Sequence, residues 1–120
     1  MNNHRLNLGK FGEKLAAEFL IKKGYWIVEK NFRTRYGEID LIAQKGDEFL
    51  FVEVKTREMS GFGYGEQAVD YFKTKHLIRA AEIYCQKNKM EKFWRMDIVS
   101  VEINGANRLA KIHWFKDTTS

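Results

Sequence analysis

The chain has no proline and one cysteine, and it lacks any long apolar run. Cys85 alone cannot form an intramolecular disulfide, and it suggests no thiol-bound zinc site. Its neighbours read as helical, which makes it a small packed residue rather than a nucleophile. No segment approaches the roughly 18 apolar residues of a spanning helix, and the start lacks the form of a signal peptide. A soluble, cytoplasmic protein is the expectation. Neither proline-rich linkers, repeats nor low-complexity stretches divide the 120 residues, so a single domain is expected, with its core at about 7–116. Histidine is scarce: His4 and His113 are uninformative, and His76 has no partner at ligand spacing. The glycine-rich stretch Ser60–Gly65 lacks the GxxxxGK[ST] form of a phosphate loop and reads as a mobile connection carrying two aromatics.

What is present begins with charge. Twenty-one basic and 16 acidic residues give +5, a moderate tilt toward anionic partners. The tilt is uneven. Residues 38–72 hold 8 acidic and 3 basic side chains, whereas 1–37 hold 3 and 8, and 73–120 hold 5 and 10. An acidic centre between cationic flanks suits a protein that holds a divalent cation and phosphates together. It also suits an ordinary solvated surface.

Hydrophobic periodicity gives a helix over 7–23, with Leu8, Phe11, Leu15 and Phe19 as its apolar stripe, Asn7 as cap and Gly24 as stop. Gly9, Gly12 and Ala16 form a small-residue strip beside that stripe, bordered by Glu13. Strands are expected at Tyr25–Phe32, Gly37–Gln44, Glu48–Arg57, Arg95–Ile103 and Arg108–Phe115, the last two joined as a hairpin. A second helix is expected from about Glu66 to Asn88. Its apolar arc is set by Val69, Phe72, Leu77, Ala80, Ile83 and Tyr84, with Lys73 and His76 inside it. A lysine there wants an anion, or snorkels its head into water. Tyr71, Ile78 and Cys85 form a stripe opposite the arc that can serve a dimer or pack on the monomer.

The chemistry concentrates in two neighbouring apolar strands. Gly37–Ala43 carries Glu38 and Asp40, and Phe49–Lys55 carries Glu53 and Lys55. Strand alternation puts Glu38 with Asp40 on one face, and Glu53 with Lys55 on one face. The connection at Gly46-Asp47 is short enough for a hairpin, so three carboxylates and an ammonium can converge on one patch. Buried charges are costly unless paired or metal-bound. The order acid, then acid-x-lysine, is that of metal-dependent nucleases with a PD-(D/E)xK core. Opposite charges across a hairpin also stabilise it, by about 0.2–1 kcal/mol per pair, without any catalysis.

Over residues 8–103 the chain resembles the YraN-like proteins, bacterial relatives of archaeal Holliday-junction resolvases. The residues that carry this are Leu8-Gly9-Lys10-Phe11-Gly12-Glu13, Lys23-Gly24-Tyr25, Asn31-Phe32-Arg33 and Gly37-Glu38-Ile39-Asp40-Leu41-Ile42-Ala43. They continue with Phe51-Val52-Glu53-Val54-Lys55-Thr56-Arg57, Glu66-Gln67-Ala68-Val69, Lys73 and Arg95-Met96-Asp97-Ile98-Val99. Gly65 departs from the pattern, which often has proline there; the change touches the loop and not the acids.

The resemblance implies an α/β restriction-endonuclease-like fold, a mixed central sheet flanked by helices. It implies Asp40, Glu53 and Lys55 as a core triad and Glu13 as a helix acid, with Glu38 as an accessory acid. Mg²⁺ or Mn²⁺ would be held by Asp40, Glu53 and the carbonyl of Val54. Lys55 would orient the attacking water or neutralise transition-state charge. Lys73, Arg95, Arg33 and Arg57 are the expected phosphate contacts. The implied activity is hydrolysis of DNA phosphodiesters leaving a 5′-phosphate, on branched or non-specific DNA, with a homodimer where junctions are cut. A non-catalytic nucleic-acid-binding module and a structural partner protein of the same fold are the competing readings.

Overall fold

The computed structural model describes residues 3–59, 71–90, 94–105 and 109–117, with side chains for 7–58, 77–90, 94–105 and 109–117. The elements are α1 (Asn3–Lys22), β1 (Trp26–Thr34), β2 (Gly37–Lys45), β3 (Glu48–Met59), α2 (Tyr71–Lys87), β4 (Trp94–Asn104) and β5 (Ala110–Phe115). They form one five-stranded sheet in the order β1-β2-β3-β4-β5. β3 and β4 run parallel, and the other neighbours are antiparallel. The antiparallel pairs β1–β2 and β2–β3 need only tight turns, while the parallel pair needs a long crossover, and α2 lies within it. The fold is thus α/β with a mixed sheet, the layout of a restriction-endonuclease-like core. Among the described residues no helix is long and apolar enough to cross a membrane.

Each sheet face has its own core. Leu41, Ala43, Leu50, Val52, Val99 and Val101 pack under Ala16, Ala17 and Leu20 of α1. On the other face Ile39, Ile42, Phe49, Phe51 and Met96 pack under Leu77, Ala80, Ala81 and Tyr84 of α2. Edge-to-face ring pairs reinforce both layers, Phe51 with Tyr84 at 5.7 Å and Phe19 with Trp114 at 5.7 Å.

Both helices end in the same way. Gly24 takes φ 97°; its N–H bonds the Ile21 carbonyl and the Tyr25 N–H bonds that of Leu20, so two otherwise unpaired carbonyls are satisfied. Lys89 plays the corresponding part after α2 with φ 51°.

Three helix expectations are corrected. α1 begins at Asn3, so Asn7 lies within the helix and does not cap it. The buried stripe of α1 is centred on Gly12, Ala16, Ala17 and Leu20, and Phe11 stands 45% exposed. Small residues let the helix backbone approach the sheet, which rotates the stripe away from Phe11. In α2, Cys85 packs partly against the inner core and so does not belong to an opposite stripe. The Tyr71 and His76 side chains, Val69, the glycine-rich connection and the turn at 106–108 lie outside the described residues.

Candidate functional site

The hairpin pairing of β2 with β3 runs from Lys45↔Glu48 to Leu41↔Val52 and goes no further. Asp40 is the first β2 residue beyond it. Its Oδ2 accepts the Val54 N–H at 2.8 Å, taking the place of a ladder carbonyl. In a strand the N–H and C=O of one residue point to the same edge, so the Val54 carbonyl also faces this open seam.

A local slip sets the direction of Asp40. Ile39 packs in the core under α2 and Leu41 in the core under α1, although two residues apart should share a face. Opposite, between the pairs Lys30↔Leu41 and Phe32↔Ile39, Asn31 adopts φ 52°. Asparagine is among the few residues that take this left-handed conformation readily. The slip turns Asp40 toward α1.

Helix α1 supplies the next acid. A Cβ on Gly12 would overlap the Thr56 side chain, so glycine permits the close approach of α1 to β3. Glu13 follows directly. Carboxylate oxygens of Glu13, Glu38 and Asp40 lie within 4.8 Å of one another. The Asn31 amide donates to Glu13 Oε1 at 3.2 Å and Glu38 Oε2 at 3.1 Å, and Arg33 Nε donates to Glu38 Oε1 at 2.9 Å. The pKa of Asp40 is pushed up to about 7, above all by burial. The Val54 N–H opposes that rise, and Glu13 and Glu38 add to it. The cluster borders an open hollow of about 440 Å³ lined by Leu8, Gly9, Thr56 and Arg57.

Glu53 and Lys55 are not in this cluster. Their side chains pair with each other, Lys55 Nζ to Glu53 Oε2 at 3.0 Å. The β3–β4 register is unbroken from Phe49↔Trp94 to Met59↔Asn104, so alternation keeps Glu53 and Lys55 on the Phe51 face, under α2. The expectation that Asp40 and Glu53 share one face is therefore corrected. Without the slip, Asp40 would stand opposite Leu41 and join them. Among the described residues the other oxygen of Glu53, Oε1, is buried and has no hydrogen-bond partner.

The expected phosphate contacts divide. Arg57 lines the hollow, and Arg33 is exposed at its Glu38 bond. Arg95 is corrected: it grips Asp97 through Nε at 2.9 Å and Nη2 at 3.1 Å, and Glu48 through Nη1 at 2.8 Å. Asp97 is fully buried and also accepts the Trp114 indole N–H and the Asp117 N–H. This arginine has an internal partner for each nitrogen. The backbone of Lys73 lies in α2, and its side chain lies outside the described residues.

Asn31 is the site residue that sequence reasoning missed. It stood within the Asn31-Phe32-Arg33 motif, but only as a point of resemblance. The available signal was a turn-favouring asparagine inside a strand.

Glu13, Glu38 and Asp40, with the Val54 carbonyl, offer hard oxygen donors of the kind Mg²⁺, Mn²⁺ and Ca²⁺ take. The residues present therefore suit a divalent cation.

Comparison with known proteins agrees with the motifs. The model of the uncharacterised protein family UPF0102 matches residues 12–101. A UPF0102 protein of Caldicellulosiruptor saccharolyticus is 42% identical over 115 residues, covering 95% of this chain and 98% of its own. One of Caldicellulosiruptor bescii is 43% identical over 112 residues, covering 92% and 94%. One of Syntrophomonas wolfei is 54% identical over 77 residues, covering 64% and 67%. With its motifs, its sheet and these relatives in agreement, the chain belongs to the UPF0102 family of YraN-like proteins.

Proposed function

We propose that this protein is a divalent-cation-dependent DNA endonuclease, with Glu13, Glu38 and Asp40 holding Mg²⁺ or Mn²⁺ at the open seam between β2 and β3. The observation that carries the reading is the meeting of these three carboxylates within 4.8 Å, one from α1 and two from β2, beside the end of the β2–β3 pairing. A bound cation would relieve both the mutual repulsion of these acids and the cost of burying Asp40. The bound ion supplies Lewis-acid polarisation of the scissile phosphate and a water of lowered pKa.

The chain's own groups have distinct tasks in this proposal. Asn31 orients Glu13 and Glu38 through its two amide protons. Val54 presents its carbonyl to the seam and fixes Asp40 through its N–H. Arg57 faces the phosphate in the hollow. Glu53 and Lys55 pair with each other on the α2 side of β3 and have no task at the cluster in this proposal.

One observation favours a second reading. Lys55 and Glu53 lie on the α2 side of β3 and bond each other, apart from the three-acid cluster. A fold that binds DNA without cutting it needs no closer arrangement.

The deciding experiment offers linear, flapped, single-stranded and four-way-junction DNA to the purified protein, with Mg²⁺, Mn²⁺ or EDTA. The endonuclease reading expects metal-dependent cleavage of at least one substrate. Asp40→Ala should abolish it, and so should Glu13→Ala. Binding with no cleavage under any metal would establish the binding module. Cleavage that persists in Asp40→Ala would assign the activity elsewhere.

A further inference from the structure

The turn between β1 and β2 consists of Arg35 and Tyr36, and it is rigidly held. The Thr34 hydroxyl accepts the Tyr36 N–H at 3.0 Å and donates to the Gly37 carbonyl at 3.0 Å. Helix α2 packs directly beside it: a Cβ on Gly37 would lie 3.0 Å from Leu77. Arg79 follows Leu77 by two residues in the same helix. As a result two exposed guanidiniums flank one phenol. Arg35 Nη2 donates to the Tyr36 hydroxyl at 3.0 Å and its guanidinium lies 5.0 Å from the ring centre. Arg79 approaches the same ring at 5.5 Å. Among the described residues neither arginine has a carboxylate within salt-bridge distance.

This arrangement differs from those of Arg95 and Arg33. Arg95 is saturated by Asp97 and Glu48, and Arg33 is bonded to Glu38. Arg35 and Arg79 instead hold positive charge against an aromatic ring and keep donors directed outward. The two guanidiniums lower the pKa of Tyr36, chiefly through hydrogen bonds, as expected for cations that face no nearby anion. The tyrosine hydroxyl accepts from Arg35, so its own proton remains to be donated.

We infer that Arg35, Tyr36 and Arg79 form an anchor for the sugar–phosphate backbone of nucleic acid, set beside the carboxylate cluster. The inference rests on the reading of that cluster as a site acting on DNA. Glu38 of the cluster is two residues from Tyr36 along the chain, and Arg33 and Asn31 bond it from the same hairpin. Guanidinium forks match phosphate oxygens, and an aromatic face accepts a base or sugar without regard to sequence. A single small anion would use one fork. Two forks separated by a ring suit a chain of phosphates, and such contacts position nucleic acid without reading its sequence.

The test is fluorescence anisotropy of a labelled duplex and a labelled four-way junction in EDTA, over a range of salt concentrations, so that hydrolysis does not enter. Arg35→Ala/Arg79→Ala should weaken binding by about tenfold or more and reduce the slope of log affinity against log salt by about 2. Lys87→Ala/Lys111→Ala makes the same change in net charge at exposed positions away from the turn, and should have a much smaller effect. Tyr36→Phe should weaken binding several-fold at unchanged slope. Arg35→Lys/Arg79→Lys should keep the slope of the parent but not its full affinity, because a point charge replaces a fork. If the arginine double variant and the lysine double variant behave alike, the anchor is overturned while the nuclease reading stands on its own cleavage assay. If the parent protein binds neither DNA, both readings fall.

Discussion

At the scale of single residues, Asp40 joins fold and chemistry. Its carboxylate replaces a missing ladder acceptor, and its burial beside Glu13 and Glu38 pushes its pKa up to about 7. The unfolded chain gives up this proton near pH 3.9. Between these values the folded protein binds more protons than the unfolded one, so stability falls as pH rises from about 4 through about 7. In EDTA, Asp40→Asn should flatten that fall, since Asn keeps an acceptor for Val54 without the charge. At pH 8 the variant should be more stable than the parent by on the order of 2–4 kcal/mol, and at pH 4 the two should be close. Urea melts across this range measure the difference. An equally steep decline in Asp40→Asn would place the source of the pH dependence elsewhere. Asp40 and Glu13 were legible because motif and small-residue strip pointed to them. Asn31 was not, because its role depends on a left-handed backbone that composition does not reveal.

At the scale of elements, strands were easier to read than the relation between them. All five strands and both helices fall close to where periodicity and turn residues put them, since short turns leave few alternatives for antiparallel neighbours. The sharing of a face by Asp40 and Glu53 was not legible. Alternation carries side-chain direction only while the strand keeps its regular pleat, and β2 changes face between Ile39 and Leu41 whereas β3 keeps its alternation. The stripe of α1 was misjudged for a related reason: apolar periodicity chose Phe11, but close packing chose Gly12. This contact gives a paired test. Gly12→Val forces a side chain into Thr56 and should cost about 1–3 kcal/mol. It should also displace Glu13 and abolish any rise in melting temperature on adding Mn²⁺. Gly9, on the same helix, would meet nothing within 4 Å. Gly9→Ala should therefore stabilise by roughly 0.5–1 kcal/mol through helix propensity. If both variants lose stability alike, α1 does not dock through Gly12. Thermal denaturation with and without Mn²⁺ distinguishes these outcomes.

For the whole molecule, the pattern of charge in the sequence divides into groups with different work. The acidic centre supplies Glu38 and Asp40 of the three-acid cluster and also Glu48, which the chain uses internally. Tyr25 donates to Glu48 at 2.8 Å, and its pKa is pushed up to about 12 by burial and by that bond. Glu48, Arg95 and Asp97 then link the starts of β3 and β4, and Asp97 extends the network to Trp114 of β5 and the Asp117 N–H beyond it. A sequence cannot distinguish an arginine held in this way from one that meets phosphate. The spacing of Arg95 and Asp97, two apart on one strand, was the one sign of pairing. The two roles predict opposite results. Arg95→Leu leaves Asp97 buried without its cation, and breaking such a pair costs about 3–5 kcal/mol. For a domain of this size the melting temperature should fall by more than about 10 °C. DNA affinity, measured well below the melt, should keep the salt slope of the parent, whereas a lost phosphate contact would reduce that slope by about 1. A stable Arg95→Leu protein with a shallower salt dependence would return Arg95 to the DNA-binding surface and move the cationic rim to the side of the sheet where β3 and β4 begin.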